Sequence, residues 1–201
     1  MNDSAGLLAE VESLLVRATR PLVRSFVRLG ISPNALTIGS LVGNVAVAGL
    51  LVRDELVAAG VLLLAFNLLD LLDGEVARAS GRSSEFGAFL DSFCDRYAEI
   101  VVYLGLLVWS GGRGDLLGQV LVLLALGGST MVSYARARAE GLGLRGGPGL
   151  LTRLERIVLL GLGFLVPPLL PWVIGLMAVL TNVTAIQRAV HVWRQTAQRR
   201  A

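Results

Sequence analysis

Six apolar stretches, at about 35–52, 56–69, 97–110, 116–135, 157–170 and 172–186, dominate this chain of 201 residues and restrict what it can fold into. Several are shorter than the roughly 20 residues a helix needs to cross a bilayer core. The second, third and last reach that length only by continuing into segments that carry Asp, Glu or Arg. A spanning helix that takes charge into one end should turn it toward a protein interior or a wet cavity. With 54% hydrophobic residues and a mean hydropathy of +0.70, an ordinary soluble domain is excluded. The expectation is an all-α integral membrane protein of one domain with six transmembrane helices.

Orientation follows from the basic residues. All 18 are Arg, and a six-span path with both termini on one side leaves only Arg53 and Arg113 in far-side loops. By the positive-inside rule the termini are cytoplasmic, in a multi-pass protein of the cell membrane. The net charge of +3 is then a local effect and no nucleic-acid signature. Residues 1–33 read as a cytoplasmic amphipathic segment, with Leu and Val interrupted by Arg17, Arg20, Arg24 and Arg28, lying in the interface. The acidic start and missing cleavage pattern argue against a secretory signal. Residues 34–195 form the six-helix domain, and 196–201 a basic tail. The stretch 141–149, with five glycines and Pro148, reads as a flexible cytoplasmic loop. Cys94 stands alone, so no intrachain disulfide exists, and a packing role suits it.

Every polar cluster falls at the cytoplasmic end of its span, which predicts one reaction face. The densest reads D-x2-D-G-x2-A-R-x8-G-x3-D-x3-D: Asp70, Asp73, Gly74, Ala77, Arg78, Gly87, Asp91 and Asp95. Asp70 and Asp73 are three apart and Asp91 and Asp95 four apart, so each pair projects from one helical face. Two such helices packed antiparallel through a short turn would aim four carboxylates at one point. Like charges in a low-dielectric site repel, and hard divalent ions, Mg²⁺ in the usual case with phosphate, remove the conflict. Two metals could polarise a pyrophosphate and stabilise a leaving oxygen. Gly74, Ala77 and Gly87 leave room for a nucleotide against the helices, and the fork of Arg78 suits phosphate oxygens. The alternative is a set of interhelical salt bridges with Arg78, Arg82 and Arg96.

This pattern matches, position for position, the signature of the CDP-alcohol phosphotransferases, membrane enzymes in which an alcohol displaces CMP from a CDP-linked donor. The resemblance implies that Asp70, Asp73, Asp91 and Asp95 hold Mg²⁺ or Mn²⁺, two ions per site, with Asp95 also the catalytic base. It implies that Asp73, Gly74, Ala77, Arg78, Ser84 and Gly87 receive the nucleotide, and that the protein is a homodimer among membrane lipids.

A second constellation bears on the acceptor. Ser133, Arg136 and Arg138 end span four, Arg153 and Arg156 open span five with Glu155 between them, and Arg188 lies in span six. Arginines converging near a metal site suggest a phosphorylated acceptor; the plain alternative is snorkelling to anionic headgroups. The segments resemble the actinobacterial branch of the family that makes phosphatidylinositol phosphate. There S-Y-x-K-A-R-A-E, R-P-E-R and a late Q-R occur, and this chain has Arg136 for the Lys and Leu154 for the Pro. That resemblance implies CDP-diacylglycerol as donor and inositol 1-phosphate as acceptor, bound by Ser133, Arg136, Arg138, Arg153, Arg156 and Arg188. Glycerol 3-phosphate as acceptor and CDP-inositol as donor are the neighbouring alternatives. A divalent-cation transporter is the alternative of another class, disfavoured because the acidic residues lie at one face.

Overall fold

The computed structural model describes residues 19–147 and 149–199, and helix accounts for most of them, with no strand among the described residues. After a helical stretch over 19–28, the described residues continue in α1 (Pro33–Val52), α2 (Leu56–Ser80), α3 (Glu85–Gly112), α4 (Leu116–Gly141), α5 (Arg153–Leu165) and α6 (Leu170–Gln198). A short 3₁₀ turn, Pro167–Leu169, leads into α6. Local chemistry sets the boundaries. Ser32 caps α1 by accepting from the Ala35 N–H at 3.2 Å, with Pro33 opening the first turn. Gly81, at φ 66°, ends α2 in the left-handed conformation. Ser84 then caps α3, accepting from the Gly87 N–H at 3.0 Å.

Among the described residues, four helical segments are long and apolar enough to cross a membrane: α1, α2, α4 and the 3₁₀ turn with α6. The other two of the expected six differ for separate reasons. The helix α3 has 28 residues, but Asp91, Asp95, Arg96 and Glu99 lie between its start and its midpoint region, leaving too short an apolar remainder. The helix α5 has only 13 residues, about 20 Å at 1.5 Å per residue, less than a bilayer core. Val166-Pro167-Pro168 stops it where the expected span continued.

The helices pack most extensively as α4 on α6, α1 on α3 and α1 on α2, with α2 also against α5. The mid-bundle core joins Val47 and Leu51, Leu63, Val102 and Leu106, Val122, Phe164 and Met177. Gly105 allows α3 to meet α1 backbone to backbone, since a Cβ there would stand 2.8 Å from the Ala48 Cα. On the face away from the carboxylates, Asp54 turns the chain from α1 to α2 at φ 65°. Its carboxylate accepts from Trp109 Nε1 at 2.8 Å and Arg113 Nη2 at 2.7 Å. The Arg113 guanidinium also lies 4.1 Å above the Trp109 ring.

Of the expected amphipathic segment, residues 1–18 lie outside the described residues. Over 19–28 the backbone is helical, with Arg20, Arg24 and Arg28 exposed. Val23 packs with Leu36 at the start of α1 and with Leu72 and Val76 at the end of α2 that carries Asp70 and Asp73. The glycine-rich connection after α4 is tied to the end of α6: Gln195 exchanges hydrogen bonds with the Arg145 backbone at 3.2 and 2.7 Å. Arg199 adds a third, to the Gly143 carbonyl at 2.9 Å.

Candidate active site

α1 lies between the two helices that carry the aspartates. It packs along both α2 and α3, which have no extensive contact with each other. The expected direct antiparallel pairing of α2 and α3 is therefore replaced by a gap bridged by side chains. Carboxylate oxygens of Asp70, Asp91 and Asp95 come within 4.8 Å of one another across it. Asp73 stands outside that group. Its Oδ2 accepts a hydrogen bond from Thr37 Oγ1 of α1 at 2.5 Å, at a buried site.

Three carboxylates this close need countercharge, and α5 supplies it. Arg153 Nη1 lies 2.6 Å from Asp70 Oδ2, and Nη2 2.6 Å from Asp95 Oδ1. The Asp70 contact is a well-formed hydrogen bond; that to Asp95 Oδ1 is an ion pair without hydrogen-bonding alignment. Arg153 also reaches Asn67 Oδ1 at 3.3 Å. The reach depends on where α5 starts. Glu155 accepts the Thr152 N–H at 2.5 Å in a capping box, which fixes Arg153 as the first helical residue. Glu155, which the sequence places among the arginines, is thereby used as a cap. Of the arginines weighed as salt-bridge partners, Arg96 Nη2 stands 3.5 Å from Asp95 Oδ2, while Arg78 pairs with Glu75 at 2.6 Å.

Two cavities border this cluster, one through Asp91 and the other through Asp95. One, of about 250 Å³, is lined by Thr37, Asp73, Gly74, Ala77, Arg78, Ser84, Gly87 and Asp91 among others. All six residues assigned to the nucleotide fall on it. The other, of about 640 Å³, is lined by Asp95, Arg96, Ser133, Arg136, Glu140, Arg153, Arg156 and Arg188 among others. It gathers five of the six residues assigned to the acceptor; Arg138 is exposed and does not line it. Arg188 is buried, donates from Nη1 to the Val132 carbonyl at 2.6 Å, and keeps a buried Nε with no partner. An orphaned guanidinium N–H in an arginine-lined cavity fits an anionic oxygen.

The sequence reading missed Glu99, whose carboxylate accepts from Arg156 Nε at 2.8 Å and from Arg96 Nη1 at 2.9 Å. The signal was there: Asp91, Asp95 and Glu99 repeat every four residues on one helical face. It also missed Thr37, Asn44 and Asn67, polar residues facing inward from α1 and α2.

A helical membrane bundle with a carboxylate cluster between a small-residue cleft and an arginine cavity defines an enzyme that transfers phosphorus-linked groups. The chain belongs to the CDP-alcohol phosphatidyltransferase family, whose model matches residues 30–186. It is 42% identical over 190 residues to a phosphatidylinositol phosphate synthase of Mycobacterium marinum, covering 88% of this chain and 80% of that one. It is 35% identical over 199 residues to an archaetidylinositol phosphate synthase of Methanothermobacter thermautotrophicus, covering 94% and 99%. The crystal structure of the Mycobacterium tuberculosis phosphatidylinositol phosphate synthase with CDP-DAG bound superposes with a TM-score of 0.82 at 36% identity, over 88% of this chain and 94% of that one. The same mycobacterial protein, solved in complex with manganese and citrate, gives 0.80 at 36% identity over 87% and 88%.

Proposed function

We propose that this chain transfers the phosphatidyl group of CDP-diacylglycerol to inositol 1-phosphate, releasing CMP and leaving phosphatidylinositol phosphate in the membrane. The observation that carries the reading is the pair of cavities on either side of the Asp70, Asp91 and Asp95 cluster, one lined by Asp91 with small residues and Arg78, the other lined by Asp95 and walled by arginines. The relatives agree on the acceptor where they differ in lipid, since the phosphatidyl and archaetidyl enzymes are both named for inositol phosphate.

The carboxylate oxygens fit hard divalent cations, and the related mycobacterial enzyme is solved with manganese. Asp70, Asp91 and Asp95, with Asp73 beside them, would hold two Mg²⁺ or Mn²⁺ ions, which neutralise pyrophosphate charge when bound. The chain's own residues do the rest. Gly74, Ala77 and Gly87 admit the nucleotide, and Arg78 and Ser84 stand at its cleft. Thr37 fixes the Asp73 carboxylate. Asp95 borders the arginine cavity and takes the proton of the attacking inositol hydroxyl. That oxygen bonds to the lipid-proximal phosphorus as the bond to the CMP oxygen breaks. Arg136 and Arg188 hold the acceptor's phosphate, with Arg153, which bridges Asp70 and Asp95, adding its charge at the border of the same cavity, so positioning and charge neutralisation supply most of the acceleration.

The bundle would span the cell membrane six times, with α3 and α5 completed by their neighbours, an amphipathic segment at 1–33, cytoplasmic termini and a homodimeric assembly. The test is product analysis. Purified protein with CDP-diacylglycerol, labelled inositol 1-phosphate and Mg²⁺ should move the label into lipid, and mass spectrometry should find phosphatidylinositol phosphate. Label remaining in the aqueous phase while CMP accumulates would contradict the reading.

A further inference from the structure

We propose that Arg96, the residue after Asp95 in α3, is a direct contact for the acceptor's phosphate, and that Glu99 is the positioning residue that aims it. The inference rests on the reading above, that a phosphorylated alcohol fills the arginine cavity.

Two guanidiniums share the Glu99 carboxylate, and they differ in what they have left to offer. Arg156 has a side chain 2% exposed. It donates from Nε to Glu99 Oε1 at 2.8 Å, from Nη2 to Glu99 Oε2 at 3.3 Å and from Nη1 to the Leu151 carbonyl at 3.3 Å. Most of its N–H groups are thus committed to the protein. The Arg96 side chain is 28% exposed and lines the cavity. Its Nη1 donates to Glu99 Oε2 at 2.9 Å and to Ser133 Oγ on α4. Its Nη2 lies toward Asp95, 3.5 Å from Oδ2.

Glu99 alone does not balance Arg96 and Arg156, and Asp95, the other carboxylate near Arg96, is shared with Arg153; the end of this group that faces the cavity is Arg96. A carboxylate this deep is strongly unfavourable unpaired, so Arg156 holds Glu99 in place. Glu99 and Ser133 in turn hold Arg96 in one orientation before any ligand arrives, which lowers the entropy cost of binding. Arg156 and Ser133, expected to touch the acceptor, therefore serve as anchors for a neighbour that does. Arg96 also sits beside the base, so the group that holds the acceptor and the group that takes its proton are consecutive residues.

The experiment uses the purified full chain with Arg96→Gln, Arg96→Lys, Glu99→Gln and the Arg96→Gln/Glu99→Gln pair. Arg96→Gln should raise KM for inositol 1-phosphate by roughly ten- to a hundredfold, the loss of one charge-assisted hydrogen bond. KM for CDP-diacylglycerol should stay within about twofold, and Arg96→Lys should fall between. Glu99→Gln should raise the acceptor KM by less, and the double variant should be no worse than Arg96→Gln alone, because Glu99 acts through Arg96. An unchanged acceptor KM in Arg96→Gln, a parallel rise in both constants, or a double variant that multiplies the two losses would overturn the proposal. Wild-type turnover of inositol 1-phosphate reports separately on the functional reading. If that fails, calorimetric titration with inorganic phosphate decides: weaker binding in Arg96→Gln supports the contact, and equal binding overturns it.

Discussion

Replacing Arg188 by Gln asks whether the arginine cavity binds phosphate. Arg188 approaches from α6, its Nη1 on the Val132 carbonyl at 2.6 Å and its buried Nε unpartnered. Val132 lies inside α4, so its carbonyl keeps its helical partner when the guanidinium is removed, and little stability rides on that bond. What is lost is a charged donor with a free N–H facing the acceptor. A charge-assisted hydrogen bond contributes about 1.5–3 kcal/mol, and each 1.4 kcal/mol is a factor of ten. The expected result is a rise in KM for inositol 1-phosphate of roughly ten- to a hundredfold. KM for CDP-diacylglycerol should stay near wild type, as should the thermal midpoint in detergent. Initial rates of CMP release, measured with each substrate varied at saturating levels of the other, give both constants. Parallel rises in the two, or no change in either, would refute the assignment of this donor to the acceptor.

Three other perturbations follow from the geometry. Asp70→Asn or Asp91→Asn should cut CMP release by several orders of magnitude while the protein still inserts, and chelation should abolish wild-type release until Mg²⁺ or Mn²⁺ is restored. Near-normal turnover in either variant would contradict the carboxylate site. Gly105→Val should lower the thermal midpoint, because overpacking costs about 1–3 kcal/mol where α3 meets the Ala48 backbone; an unchanged midpoint would show that the helices can separate freely there. The Trp109 N–H and then Arg113 hold the Asp54 carboxyl below its usual 3.8. Its contribution is therefore full above that value and fades as pH falls through the lower folded value. Asp54→Asn should lower the midpoint at pH 7, and the difference from wild type should shrink at pH 3; a difference independent of pH would contradict the clasp.

The helical membrane architecture and the aspartate signature were legible because both are local patterns. Apolar runs separated by Gly and Pro mark helices, and residues spaced by three and four share a face. What stayed illegible depends on which helix lies beside which. Nothing in the spacing of Asp70 and Asp91 says that α1 packs against both of their helices, so the roles of Thr37 and Asn44 were out of reach. Arg153 and Arg156 look equivalent in sequence, three apart at the start of one helix. Burial separates them: one bridges Asp70 and Asp95, the other is spent on Glu99. Glu155 stands between two of the acceptor arginines in sequence, yet its spacing from Thr152 makes it a helix cap. The length of α5 was overestimated because the apolar stretch continues through the prolines that end the helix.

The central claim, that the cavity at Asp95 selects a phosphorylated inositol, is tested most directly by acceptor competition. Purified protein with CDP-diacylglycerol and Mg²⁺ is offered inositol 1-phosphate, unphosphorylated inositol and glycerol 3-phosphate, singly and mixed, and CMP and lipid products are quantified. The account predicts efficient CMP release with inositol 1-phosphate, little with inositol, and phosphatidylinositol phosphate as the main product of the mixture. Efficient use of glycerol 3-phosphate with inositol 1-phosphate ignored would leave the chemistry intact but contradict the acceptor, and equal use of free inositol would contradict the role given to the arginines.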